Sequence, residues 1–389
     1  MNLAENIPYI SREKINKNCI DYRFKILYSI GIISVIASHL SGKGSIELNI
    51  QGWFNYNTYH MPLFMFSAGY FYKSKNMNNT CDYIYKKFKR LIFPIYLYNC
   101  FYGIYIQFLG KFGFNTKIRP FTFSILFIEP LEGSGFRNIK PSWFSSTLFF
   151  VESYNILKRK IISFLLNELN ESIYLIFDSI ISIKSIILSN KGYNKYHIYM
   201  VILRIIHLNI YYELGIFYKK HIERILKNIR NDIYCLHIFT FKLCFHLYYS
   251  KAPFFYYGMS QYYNYSPFTV IIISILGIAF WLRISEILEP LIGKNFYVNI
   301  IADNTFSIMI NHLFSIDILK FLFSFISKKT KYFKNFNFKR FYSLDSHYIF
   351  LPNNVLQTGI LYFLSCLALP IIIQKIINKI KYKIFSFIL

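Results

Sequence analysis

The chain has few charged residues, and acidic residues are especially scarce. Only 16% of its 389 residues are charged, and 44 lysines and arginines stand against 19 acids, which gives a net charge of +25. Hydrophobic residues make up 54% of the chain and aromatic residues 21%. Soluble domains seldom combine these values, whereas membrane proteins with apolar spans and basic loops do.

Several patterns that define other protein classes are missing from the sequence. Its six cysteines form no CxxC pair, so we predict neither a metal site nor a disulfide framework. No cleavable signal peptide is expected, because the region through Lys25 is polar. The basic residues lie in short runs between apolar stretches, so nucleic-acid binding is not expected either.

Long apolar runs are abundant. A membrane-spanning helix needs roughly 20 mostly apolar residues. The sequence therefore predicts an all-α, polytopic membrane bundle of about ten helices, with an N-terminal segment at 1–25, a transmembrane domain at 26–374 and a basic tail at 375–389. The expected spans are 26–41, 57–72, 91–109, 141–157, 166–189, 196–217, 232–249, 268–290, 302–326 and 354–374.

The charges of the loops predict a cytoplasmic N-terminus. Segment 73–90 carries six lysines and arginines, whereas 42–56 carries one, and basic residues concentrate on the inner side of a membrane. In this topology 158–165 is a further inner loop. The loop 327–353, with six basic residues, opposes the rule, but long loops follow it less closely.

Two histidines mark facing ends of the first two spans. His39 ends "ISVIASHL", and His60 opens "YHMPLFMFSAGYFYK" after a short connection, so both are expected near the outer side of the bilayer. Histidine is well suited to proton transfer near neutral pH, although an interfacial histidine can also simply hydrogen-bond a neighbour. The small residues Ser67 to Gly69 interrupt the second run and predict close helix packing rather than a nucleophile site.

A basic run precedes the third span. In "KKFKRLIFPIY", Lys87 and Arg90 are three residues apart and share one helix face. They are suited to the phosphates of a cytosolic donor such as coenzyme A. A positive-inside membrane anchor is the alternative interpretation of the same run.

Other polar residues fall in or beside apolar runs. Trp143 suits the aromatic belt at a membrane surface, and Glu152 and Glu213 are either functional acids or members of ion pairs. Asn304 and His312, in "DNTFSIMINHLF", lie on polar faces of span nine, which can line a substrate path or join helices.

These motifs, in this order, resemble those of the membrane acyltransferase family 3, in its fucose 4-O-acetylase or polysaccharide O-acetyltransferase branch. The resemblance runs over about 20–325 and rests on "SVIASH", "YHMPLFMFSAGYFYK", "KKFKRLIFPIY", "SWFSSTLFFVE" and "DNTFSIMINHLF". It implies a ten-helix enzyme of a prokaryotic cytoplasmic membrane. Such an enzyme transfers acetyl groups from acetyl-CoA to hydroxyls of surface or capsular glycans, or of their lipid-linked precursors.

The resemblance also implies roles for individual residues. His39 falls on the family's essential histidine, with His60 as its partner, and Lys87 and Arg90 fall on the basic pair of the donor site. The family has a cation eleven residues before the first histidine, where this chain has Tyr28, and Lys25 is a possible replacement one turn earlier. The alternative function is an exporter of polysaccharides or lipid-linked sugars without acyl chemistry.

Overall fold

The computed structural model describes residues 20–40, 50, 52–116, 122–129, 139–166, 170–249, 256–263, 265–330, 332–345 and 348–388. The described residues are almost entirely helical, which confirms the predicted all-α class. The helices are α1 Tyr22–Leu40, α2 Tyr56–Tyr70, α3 Thr80–Lys87, α4 Phe93–Gly110, α5 Trp143–Leu166, α6 Glu171–Asn190, α7 His197–Phe217, α8 Glu223–Lys227, α9 Asn231–Tyr249, α10 Pro267–Ile292, α11 Phe296–Asp303, α12 Thr305–Lys329, α13 Phe338–Tyr342 and α14 Thr358–Ile388.

Short elements of other geometry interrupt the helices. Five-residue π-helical turns join α3 to α4 at Phe88–Ile92 and α7 to α8 at Tyr218–Ile222, and another lies at Ser124–Ile128. A two-stranded antiparallel hairpin, β1 Tyr256–Tyr257 and β2 Tyr262–Tyr263, precedes α10.

Side-chain caps fix where several helices begin. The side chain of Asn55 accepts a hydrogen bond from the backbone of Asn57 and opens α2, and Asn170 opens α6 in the same way. Ser266 caps α10, whose first residue is a proline. Such caps satisfy backbone N–H groups that the first helical turn leaves without partners.

Seven stretches of the described chain are long and apolar enough to cross a membrane. They are Tyr22–Leu40, Thr80–Gly110, Glu171–Asn190, His197–Lys227, Pro267–Ile292, Thr305–Lys329 and Thr358–Ile380. These helices are therefore compatible with a multi-pass membrane protein. The other three predicted spans coincide with helices α2, α5 and α9, and α2 has only 15 residues.

One predicted loop is wrong. The predicted spans 141–157 and 166–189 left 158–165 as an inner loop, but α5 continues through Leu166. The reason is that Lys158 and Arg159 are buried and paired with acids of α6 and α7. A charged residue inside a helix does not end that helix when its partner lies on a neighbouring helix. At the C-terminus, α14 likewise runs through the predicted tail to Ile388.

The core forms where α2 packs against α1, α7 and α10, and α1 packs in turn against α10, α11 and α12. The close packing predicted at Gly69 is confirmed: a Cβ atom there would lie 1.9 Å from the carbonyl oxygen of Tyr212 on α7. A Cβ atom at Gly215 of α7 would likewise lie 2.1 Å from the carbonyl oxygen of Phe66. These contacts hold α2 and α7 backbone to backbone.

Candidate functional site

Three histidines from three helices meet where α1 ends. His39 lies in the last turn of α1, His60 lies in the first half of α2, and His312 lies in the first half of α12. The rings of His39 and His312 have centroids 4.9 Å apart, and His60 is close enough to His39 for an electrostatic interaction. His39 is exposed, whereas His60 and His312 are buried. We call these three residues the histidine cluster.

Backbone carbonyls orient two of the three rings. Nδ1 of His60 bonds the carbonyl of Tyr56, and Nδ1 of His312 lies 2.8 Å from the carbonyl of Met309. Because a carbonyl only accepts, Nδ1 must carry the proton, and Nε2 of the neutral ring then keeps a lone pair. The buried Nε2 of His312 has no hydrogen-bond partner among the described residues. This nitrogen can therefore accept a hydrogen bond from a hydroxyl group of a ligand.

A second group of polar residues lies beside the first half of α1. Lys87 of α3 bonds Glu152 of α5 at 2.5 Å, and the carboxylate of Glu152 is 3% exposed. Its other oxygen, Oε2, is buried without a hydrogen-bond partner in the described part of the chain. Arg90 and Tyr28 both lie within electrostatic reach of Glu152. We call Tyr28, Lys87, Arg90 and Glu152 the basic cluster.

Arg90 is the cation of the basic cluster that is accessible to a ligand. It is exposed, and none of the hydrogen bonds or ion pairs of the described residues involves its guanidinium. It lies within the π-helical turn Phe88–Ile92, which changes the direction of its side chain relative to a regular α-helix. Such turns are frequent at functional sites. An exposed guanidinium beside a neutralised Lys87 is suited to binding an anion.

Tyr28 and Lys25 do not form a second free cation. Tyr28 stacks on Phe64 with ring centroids 6.1 Å apart, and its hydroxyl lies beside Ser67 of α2. Lys25 forms an ion pair with Asp303 at the end of α11. The amine of Lys25 is thus already engaged, and Tyr28 contributes a neutral hydroxyl where the resemblance implied a positive charge.

The two clusters share α1 and α2 as a common wall. Tyr28 precedes His39 by eleven residues, about 16 Å along the helix axis. Ser67 follows His60 by seven residues, about 10 Å along α2. Both separations are shorter than the roughly 30 Å hydrocarbon core of a bilayer. The two clusters therefore lie within one membrane thickness of each other along α1 and α2.

Glu213 belongs to a separate buried ionic network. Lys158 bonds Glu213 at 2.8 Å and Asp178 at 2.5 Å, while Arg159 bonds Glu213 and also Glu171 at 2.7 Å. Lys220 completes the group through Glu171, so three cations face three acids. Of the two interpretations that the sequence allowed for Glu213, a functional acid or a member of an ion pair, the structure shows the ion pair.

Two other predicted site residues lie away from both clusters. Trp143 begins α5, and the guanidinium of Arg204 stacks 4.9 Å from the centre of its ring. Asn304 lies at the break between α11 and α12, where its side-chain amide donates to the carbonyl of Ile300 at 2.7 Å. These contacts are local and give neither residue a direct role at the histidine cluster.

Sequence reasoning missed some residues that the fold brings into position. Tyr102 of α4 donates to Asn311, the neighbour of His312, at 2.6 Å, and thereby supports the histidine cluster. Nothing in the pattern around Tyr102 could have found it among 35 tyrosines. Lys242 of α9 could have been found from the sequence. A lysine inside the apolar run "FTFKLCF" is costly to bury and therefore indicates a functional residue.

The site offers a group of histidines at one end and an exposed guanidinium at the other. Among the described residues no group of three or more histidines, cysteines and acids is arranged to hold a metal ion. Comparisons with family models, curated proteins and solved structures give no match for the chain. Its function is therefore argued from these residues and their geometry.

Proposed function

We propose that the protein is a membrane O-acyltransferase that moves an acetyl group from acetyl-CoA to a hydroxyl of a cell-surface or capsular glycan, or of its lipid-linked precursor. The observation that carries the proposal is the pairing of the two clusters along α1. One end offers His312, whose Nε2 has no hydrogen-bond partner among the described residues, beside His39, and the other offers an exposed guanidinium for a phosphorylated donor. The motif resemblance supplies the reaction class.

The proposal includes a topology of ten spans with a cytoplasmic N-terminus in a prokaryotic cytoplasmic membrane. Each of the ten predicted apolar segments coincides with a helix of the described chain. In this topology Arg90 faces the cytosol, where acetyl-CoA is found, and the histidine cluster lies towards the outer surface, where the glycan is found. The arm of the donor extends along α1 between them.

The chemistry assigns one task to each end. Arg90, with Lys87 beside it, holds the phosphates of the donor. At the histidine cluster, Nε2 of a histidine takes the proton of the acceptor hydroxyl while the oxygen bonds to the acetyl carbon. The carbon–sulfur bond breaks, and the proton passes to the departing thiolate. A hydroxyl is too weak an acid to attack a thioester readily without such a base.

The test measures acetyl esters on surface glycan in cells that lack the gene and carry one variant each. We expect His39→Ala and His312→Ala to lower transfer by about 10²- to 10⁴-fold, the usual contribution of general acid–base catalysis. His237→Ala is the matched control, because His237 also bonds a backbone carbonyl through Nδ1, at 2.7 Å, but is exposed on α9.

Two results would contradict the proposal. Full acetylation by both cluster variants would show that neither histidine is needed for the reaction. Glycan export that depends on the protein, together with no transfer from radiolabelled acetyl-CoA by purified protein, would favour the exporter function instead. Equal protein levels in the membrane must accompany either result.

A further inference from the structure

Helix α9 buries a lysine where an apolar residue would cost less. Its face against the rest of the protein contains two buried residues, Ile238 and Lys242, one helical turn apart. Its other faces expose large apolar side chains such as Leu243 and Leu247. Lys242 is 3% exposed, so its ammonium group points into the protein rather than towards the surroundings of the helix.

No acid neutralises Lys242 within the described part of the chain. Instead, the Nζ atom of Lys242 lies 4.9 Å from the centre of the aromatic ring of Phe54. A cation–π contact offsets part of the cost of burying an ammonium group, but an isolated buried charge remains unfavourable. Charged residues within apolar helices usually mark a ligand or ion pathway.

The surroundings of Lys242 are suited to a ligand. His246 lies one helical turn further along α9 and stacks on Trp53 with ring centroids 5.9 Å apart and planes 3° from parallel. Both residues are half-buried, and Trp53 directly precedes Phe54, whose ring contacts Lys242. Two basic side chains and an indole N–H group can together bind an oxyanion.

This group of residues adjoins the histidine cluster. The ring that Lys242 contacts belongs to Phe54, two residues before Tyr56, and the carbonyl of Tyr56 bonds Nδ1 of His60. Phe54 is held in place by Phe280 of α10, at a ring distance of 4.1 Å. A ligand group bound at Lys242 would thus be close to the histidine cluster, where the proposed chemistry takes place.

We propose that Lys242, His246 and Trp53 form a subsite for a phosphate group carried by the acceptor. This inference rests on the proposed function, and it narrows the acceptor to a sugar attached to a lipid through phosphate. The phosphate is held at Lys242, and the sugar extends to the histidine cluster. The subsite anchors the acceptor independently of the donor, which binds at Arg90.

Trp53 provides a binding assay that does not depend on acyl transfer. The chain has three tryptophans, so replacing Trp143 and Trp281 with phenylalanine leaves Trp53 as the single fluorophore. Dodecyl phosphate is titrated into this protein in neutral dodecyl maltoside micelles. We expect a saturable change in Trp53 emission. We also expect Lys242→Met to weaken the apparent affinity at least tenfold and Lys242→Arg to retain most of it.

The controls separate a specific site from general attraction. Lys191→Met removes a lysine that is exposed and should leave the titration unchanged. Unchanged affinity in Lys242→Met would overturn the proposal. If that variant does not fold, the unaltered chain decides: an equal response to uncharged dodecanol would overturn the subsite. Competition by inorganic phosphate would support an oxyanion site open to free phosphate, and its absence would support a lipid-borne ligand.

The two proposals fail in distinguishable ways. Loss of acetylation in His39→Ala, together with no phosphate binding at Trp53, would refute the phosphate subsite and support the acyltransferase proposal. Phosphate binding that depends on Lys242, in a protein that transfers no acetyl group, would support the phosphate subsite and refute the acyltransferase proposal.

Discussion

Replacing Lys158 with methionine should destabilise the protein by removing the cation that neutralises Asp178. Both side chains are buried, with 6% and 3% exposure, and their charged atoms are 2.5 Å apart. In the described part of the chain Asp178 has no other ion-pair partner, whereas Glu213 keeps Arg159. The methionine side chain fills a similar volume, so the main loss is electrostatic rather than a cavity.

The magnitude follows from the charge left behind. Removing one partner of a buried ion pair costs about 3–5 kcal/mol, because the other charge remains buried without compensation. Adding Asp178→Asn should recover most of this loss. The network then keeps two cations, Arg159 and Lys220, and two acids, Glu171 and Glu213, so it is again neutral.

The assay is reversible unfolding in mixed micelles of a neutral detergent and dodecyl sulfate, followed by circular dichroism. The free energies of the two single variants and of the double variant form a cycle that isolates the coupling. Lys86→Met is the matched control, because Lys86 forms an exposed pair with Asp82, and such pairs contribute about 0–1 kcal/mol. A double variant as unstable as Lys158→Met alone would refute the reasoning.

Two further predictions concern the donor end and the helix packing. Arg90→Gln should raise KM for acetyl-CoA about 10- to 100-fold with little change in kcat, because a hydrogen bond to a charged group contributes about 1.5–3 kcal/mol. Lys89→Gln, in the same helical turn, is its control, and an unchanged KM in Arg90→Gln would exclude Arg90 from donor binding. Gly69→Ala should cost at least about 1–3 kcal/mol of stability, because its methyl group meets the backbone of Tyr212. Unfolding measurements should show almost no effect of Gly258→Ala, whose nearest neighbour would be 3.8 Å away, and equal losses in both variants would contradict the packing argument.

Apolar periodicity predicts where the helices lie but not where every helix ends. A long apolar run must satisfy its own backbone hydrogen bonds inside a membrane, so it predicts a helix with little ambiguity. At Lys158 and Arg159 the same reasoning failed, because local sequence cannot show that acids of α6 and α7 will neutralise the charges. The identity of the partners depends on tertiary structure.

The candidate site shows the same division. The sequence could predict that His39 and His60 lie near each other, because a short connection joins the two helices that carry them. His312 is more than 250 residues away in sequence, and only the packing of α1 against α12 places its ring beside His39. The sequence marked His312 as polar in an apolar helix, but its position in the cluster had to come from the fold.

Tyr28 gains a physical explanation from its neighbours. Arg90 and the Lys87–Glu152 pair already bring two cations and one acid to the basic cluster. An arginine in place of Tyr28 would add a third positive charge against the single acid, in a partly buried position beside Phe64. A neutral hydroxyl avoids that repulsion and leaves Arg90 as the accessible cation. The cluster is then suited to binding one anionic group at Arg90, and Oε2 of Glu152 has no hydrogen-bond partner among the described residues.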